Sequence, residues 1–265
     1  MRETLHGKTA LITGASSGLG ADFARQLAAR GCQLILVARR GEGLRELQAE
    51  ISTRCEVSIE CVAMDLLEAD APQRLYDQIN GLGRTVDVLI NNAGKGLFGE
   101  FTVVPWESLD QMLEFDVVAP THLARLFVAD MVKRGSGYVL FIASTGAFQP
   151  TPTYAAYSAA KGYVLSLGEA LHYELRQTGV RCTVLCPGVT RTEFFSVAGQ
   201  RTTPYQRMTM MESSTVARIG IEAMLRGRPC VVAGRLNALV AWATRLVPRQ
   251  VLTGLAYQMM REPPL

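Results

Sequence analysis

The sequence is most informative first in what it lacks. Six cysteines (Cys32, Cys55, Cys61, Cys182, Cys186 and Cys230) form no CxxC pair and have no histidine at zinc-ligand spacing. The three histidines, His6, His122 and His172, are equally isolated, so no metal site is expected. Cys182 and Cys186 fall in a run, 180–186, that alternates like a strand, where positions four apart are separated by about 13 Å. A disulfide between them is not expected, and the cysteines read as small core residues of a reducing compartment. The N-terminus lacks the basic, apolar and small-residue succession of a signal peptide, and the cytoplasm is the expected location. A net charge of +3 is too mild, and basic residues over the first two hundred positions are too dispersed, for a nucleic-acid partner.

What is present is enough apolar material for one substantial core: 265 residues, 48% hydrophobic and 19% charged. Apolar runs rich in Val, Ile and Leu recur at 8–13, 33–38, 57–63, 86–90, 138–143, 180–186 and 229–232. Most are continuous, as in strands covered on both faces. Helical patterns lie between them at 19–30, 43–53, 71–80, 107–134, 154–177 and 213–226. Strand followed by helix along the whole chain predicts an α/β fold with a doubly wound parallel sheet, because a parallel crossover needs a connecting helix. Pro120, inside the pattern 107–134, is expected to kink that helix.

The stretch TGASSGLG, residues 13–20, separates the first strand pattern from the first helix pattern. Its glycines, Gly14, Gly18 and Gly20, suit a tight turn, a close approach to a bound anion and close helix–strand packing. Ser16, Ser17 and Leu19 lie between them, at the start of a helix whose unpaired N–H groups and dipole favour a pyrophosphate. Past the second strand, where a carboxylate would bind the ribose 2′-hydroxyl of NAD, stand Ala38, Arg39 and Arg40. Arginine there favours the 2′-phosphate of NADP, whereas the plainer reading is a solvated basic loop. Asp65 and Leu66 end the third strand pattern. Asn91, Asn92, Ala93 and Gly94 end the fourth, as a cleft-lining segment or an ordinary turn.

Tyr157 and Lys161 are four apart on a helix and share a face. A free tyrosine titrates near pH 10, and using it near neutrality requires a drop of about 3 units, or about 4 kcal/mol. An ammonium beside it supplies part of that, although most YxxxK patterns are a tyrosine packed on a lysine stem. Here Ser144 ends the fifth strand, and Pro187, Gly188, Val189, Thr190, Arg191 and Thr192 follow the sixth. All these signals fall at the carboxyl edge of one sheet, where open parallel sheets bind ligands.

In this set, order and spacing, the chain resembles the short-chain dehydrogenase/reductase family over almost its full length. The resemblance implies a Rossmann fold, a nicotinamide cofactor, and hydride transfer between that cofactor and a carbonyl or alcohol. By the same resemblance, Tyr157 is the acid/base and Ser144 orients the substrate oxygen. Lys161 holds the ribose hydroxyls and lowers the tyrosine's pKa. Residues 1–234 then form the Rossmann domain, with 190–215 covering the substrate, and 235–265 an amphipathic helical extension. One position departs from the family: Asp116 stands where an Asn usually holds a water beside the lysine. An ionised Asp116 would favour the ammonium and offset part of its pull on Tyr157, altering the pH profile.

For the substrate pocket the candidates are Phe98, Phe148, Tyr154, Phe194 and Phe195, with Val197, Met208, Met210 and Met211 nearby. They suit an apolar ketone, aldehyde or alcohol, or else pack beneath a loop. In the tail, Leu236, Leu239, Val240, Ala243 and Leu246 recur at helical spacing beside Trp242, Arg235, Arg245 and Arg249. That segment carries too much charge to span a membrane. Its readings are core or oligomer packing, a cover for the pocket, or peripheral contact with a membrane surface. The expectation is an NADP(H)-dependent carbonyl reductase or alcohol dehydrogenase, as a homodimer or homotetramer. Its rivals are a low-turnover cofactor sensor and a membrane-surface lipid carbonyl reductase.

Overall fold

The computed structural model describes residues 5–201 and 203–260. The first strand, β1 (Thr9–Thr13), is buried at every position. Its apolar side chains alternate between two cores: Ala10 and Ile12 join one, Leu11 the other. A strand with both faces covered needs parallel neighbours and helices on each side. Those are supplied in chain order by α1 (Gly18–Ala28), β2 (Gln33–Ala38), α2 (Gly41–Ser52), β3 (Ile59–Ala63), α3 (Ala71–Gly81) and β4 (Val88–Asn91). There follow α4 (Trp106–Leu113), α5 (Ala119–Arg134), β5 (Gly137–Ile142), α6 (Ala155–Glu174) and β6 (Val180–Cys186).

A short excursion, β7 (Thr190–Arg191), α7 (Phe194–Ala198), α8 (Pro204–Thr209) and β8 (Met211–Glu212), precedes α9 (Ser213–Leu225) and β9 (Cys230–Val232). The chain closes with α10 (Arg235–Ala243) and α11 (Arg249–Met260). The main sheet is parallel, in the order β3-β2-β1-β4-β5-β6-β9. The protein therefore has a Rossmann-type α/β fold. Phe23 and Leu27 of α1 pack with Ile221 and Met224 of α9 on one face. Leu75, Phe127 and Val164, from α3, α5 and α6, cover the other. Because β2 and β4 flank β1 on opposite sides, the strand order reverses there and a crevice opens at the strands' carboxyl ends.

Three expectations need correction. The third strand begins at Ile59 rather than at 57, and its exposed, alternating pattern fits the sheet edge. The tail's helical spacing, 236–246, runs through α10 and ends just beyond it at Leu246, and a second helix, α11, follows. The helical pattern 107–134 is not simply kinked: a π-helical turn, Glu114–Val118, joins α4 to α5. Pro120 follows just after that turn in the same unbroken helical run, so its missing N–H removes one backbone bond to the turn before it. The widened turn carries Asp116, which is buried.

Candidate active site

The glycine-rich turn is built against the end of β4. Gly14 adopts φ +65°, a conformation that penalises a Cβ, and turns the chain from β1 towards α1. At Gly20 a Cβ would lie 2.1 Å from the Gly14 carbonyl oxygen, so only glycine lets the helix sit this close to the turn. Ser17, at the N-cap of α1, is extended and makes no capping hydrogen bond, and the first turn carries no acidic side chain. The helix start thus keeps its donors and its partial positive charge for an external anion.

Asn92 Nδ2 donates to the carbonyls of Thr13 (3.0 Å) and Gly14 (3.2 Å). Thr13 Oγ1 accepts from the backbone N–H of Asn92 (3.1 Å) and Ala93 (3.0 Å). Thr13 was not singled out by sequence, since a threonine closing a strand carries no mark of its partners. Asn91 points away: it is buried and donates to the Pro120 carbonyl at 3.2 Å.

A cavity of about 510 Å³ runs from this turn along the sheet edge. Gly14, Ser16, Ser17, Gly18 and Leu19 line one end, with Arg39, Arg40, Asp65 and Leu66 beside them. Arg39 Nη1 lies 3.9 Å from Asp65 Oδ2, with the arginine side chain 71% exposed. So open a pair holds the guanidinium weakly and leaves it free to turn to a phosphate. Asn92, Ala93 and Gly94 line it as well, and so do Pro187, Gly188, Val189, Thr190 and Thr192. Gly20 and Asp116 stand behind the wall rather than on it.

Ser144, Tyr157 and Lys161 all line this one cavity. Tyr157 and Lys161 lie on successive turns of α6, with Lys161 Nζ 5.6 Å from the centroid of the Tyr157 ring. The ammonium donates to the Ile142 carbonyl at 3.3 Å and pairs with Asp116 Oδ2 at 3.0 Å. Asp116 Oδ1 accepts the Lys95 backbone N–H at 2.7 Å. Burial pushes the Asp116 carboxyl up from the ordinary carboxylate range, against the opposing pull of Lys161. Burial, and then the charge of Asp116, push the Tyr157 phenol up, while a hydrogen bond with Ser144 pulls it down. Ser144 Oγ also accepts the Gly146 N–H at 3.1 Å, which fixes the hydroxyl beyond the end of β5.

Aromatic rings continue the cavity away from the glycine turn. Phe98, Tyr154, Tyr157, Phe194 and Phe195 form a row of successive contacts with centroids 5.3–5.7 Å apart. Tyr154, Phe194 and Phe195 reach the cavity wall. Phe98 backs Tyr154 instead, and Phe148 packs against the hydrophobic core; neither belongs to the wall.

The tail, one of whose sequence readings was a cover for the pocket, reaches it through Ala256, Met259 and Met260 of α11, which the sequence had not singled out. A buried polar cluster holds it. Gln200 Nε2 donates to the Met260 carbonyl at 2.7 Å, while Gln200 Oε1 accepts from Tyr154 Oη (2.8 Å) and Gln206 Nε2 (2.9 Å). Spacing could flag the tail as helical, but not which cavity it closes.

The family model described as short chain dehydrogenase matches residues 8–202. An uncharacterized oxidoreductase of Staphylococcus epidermidis is 31% identical over 186 residues, which cover 70% of this chain and 79% of that protein. Among solved structures, a short-chain dehydrogenase from Sphingobium yanoikuyae in complex with NADPH is similar, with 31% identity and a TM-score of 0.80. The similarity covers 90% of this chain and 94% of that one. A putative NAD(P) dependent gluconate 5-dehydrogenase from Beutenbergia cavernae with bound NADP has 27% identity and a TM-score of 0.79, over 90% and 98% of the two chains.

Proposed function

Because the chain belongs to the short-chain dehydrogenase family, we propose that it is an NADP(H)-dependent oxidoreductase acting on the carbonyl or alcohol group of an apolar small molecule. The observation that carries this reading is the meeting of Ser144, Tyr157 and Lys161 in one cavity with the glycine turn and Arg39 and Arg40. The residues present fit the cofactor: an uncapped helix start suits a pyrophosphate, and two arginines suit a 2′-phosphate. When bound, NADPH would supply the hydride.

The chain's own residues supply the rest. Ser144 Oγ orients the substrate oxygen, with its own position fixed by the Gly146 N–H. Tyr157 donates its proton to that oxygen in reduction and withdraws it in oxidation. Lys161 stabilises the phenolate left behind, and the ion pair with Asp116 moderates how strongly it does so. Tyr154, Phe194, Phe195, Met259 and Met260 exclude water and favour an apolar substrate body.

The test is fluorescence titration with NADPH and NADH, followed by NADPH oxidation against a panel of apolar ketones and aldehydes. Tighter binding of NADPH, with turnover lost in Tyr157→Phe, is the expected result. Preference for NADH refutes the role given to the arginines, and NADPH binding without turnover across the panel refutes the catalytic reading.

A further inference from the structure

The C-terminal helices have two unlike faces. In α11, Leu252, Ala256 and Met259 recur at i, i+4 and i+7 and turn inward, with Ala256 and Met259 on the cavity wall. A stripe beside it presents Val251 and Leu255 to solvent, each more than half exposed. In α10 the stripe Arg235, Leu239 and Trp242, also at i, i+4 and i+7, is exposed, and Leu246 follows just beyond at 69% exposure. Leu236 and Val240 widen the apolar surface. Side chains of this size left open on two consecutive helices mark a contact surface rather than scattered surface residues.

Charge indicates what covers it. Between Glu222 and Glu262 the sequence contains no Asp and no Glu, whereas Arg226, Arg228, Arg235, Arg245, Arg249 and Arg261 all fall there. Arg235, Arg245 and Arg249 are exposed among the apolar residues. In a two-fold contact the same patch faces itself, so a second copy would bring arginines together with no local carboxylate to answer them. An anionic lipid surface answers both features: its headgroups take the guanidinium groups, and the acyl boundary takes Leu239, Trp242 and Leu246. At 9 and 12 residues, α10 and α11 are too short to span a bilayer, and no helix among the described residues is long and apolar enough to do so.

We propose that the outer face of α10 and α11 docks the protein peripherally on anionic phospholipid bilayers. The proposal stands apart from the reaction, and its test reads no activity. The chain has two tryptophans, so the Trp106→Phe variant leaves Trp242 as the sole reporter. Full-length protein is mixed with vesicles of phosphatidylcholine alone or of phosphatidylcholine and phosphatidylglycerol at 7:3, and read by co-sedimentation and Trp242 emission. Binding and a blue shift with the anionic vesicles only are expected, weakening as salt rises.

Substituting Arg235, Arg245 and Arg249 by Gln is expected to weaken partitioning about fivefold for each arginine. Leu239→Gln with Leu246→Gln is expected to reduce both binding and blue shift. Because all five side chains are exposed, an unchanged melting temperature serves as the folding control. Absence of binding, or equal binding to neutral vesicles, overturns the proposal. So does a fall in oligomeric mass on the leucine substitutions without vesicles, which assigns the face to a second copy.

Discussion

Asp116→Asn separates the charge of the buried pair from its shape. At an effective dielectric of about 20, a unit charge at the 5.6 Å separation of Lys161 Nζ from the Tyr157 ring stabilises a phenolate by about 3 kcal/mol, or about 2 pKa units. The Asp116 oxygen, 3.0 Å from that ammonium, lies within about 9 Å of the ring and opposes the phenolate by about 2 kcal/mol at the same dielectric. Most of the lysine's help is therefore offset, in keeping with the upward push of Asp116 on the Tyr157 phenol. An Asn keeps a carbonyl oxygen for the Lys95 N–H, but an amide nitrogen that cannot accept replaces the oxygen facing the ammonium, and the negative charge is gone.

The sign follows directly. Alcohol oxidation needs the phenolate, so its kcat/KM rises with pH through the tyrosine's pKa. Removing the anion lowers that pKa and moves the rising limb to lower pH by about 1.5 units. The assay is kcat/KM for alcohol oxidation across pH in wild type and variant, with NADPH affinity and circular dichroism as controls for folding. An unmoved limb, or one moved to higher pH in a folded, cofactor-binding variant, would refute the electrostatic reasoning.

Other substitutions probe the remaining parts of the site. Tyr157→Phe is expected to cut turnover by about 10²–10⁴ while leaving NADPH binding intact by fluorescence titration. Arg39→Ala with Arg40→Ala is expected to weaken NADPH by at least about tenfold, through lost charge-assisted hydrogen bonds, and to leave NADH nearly unchanged. Gly20→Ala places a methyl where the Gly14 carbonyl oxygen already stands, and thermal unfolding is expected to show a loss of about 1–3 kcal/mol. Gln206→Leu leaves the Thr203 N–H without its acceptor, and should loosen α11 and raise KM for the substrate more than it changes kcat.

Local chemistry made the cofactor end legible in the sequence. Turns, helix starts and strand ends depend on near neighbours, so TGASSGLG, NNAG and the spacing of Tyr157 and Lys161 marked their positions before any fold was known. The alternation of strand and helix patterns likewise determined the parallel sheet, because short buried strands must be joined by crossovers. Tertiary structure decided what rests on contacts between distant segments. Thr13 acquires its role only when β4 lies beside β1, and Asp116 reaches Lys161 only through a π turn that no periodicity announces. Phe98 and Phe148 are indistinguishable from Phe194 and Phe195 as apolar residues; their placement relative to the cavity depends on packing across the fold. The same is true of the tail, whose spacing over 236–246 indicated a helix but not that Gln200, about 60 positions before Met260, would fasten α11 over the site. Periodicity is written along one segment, whereas a cavity is closed by segments that only the folded chain brings together.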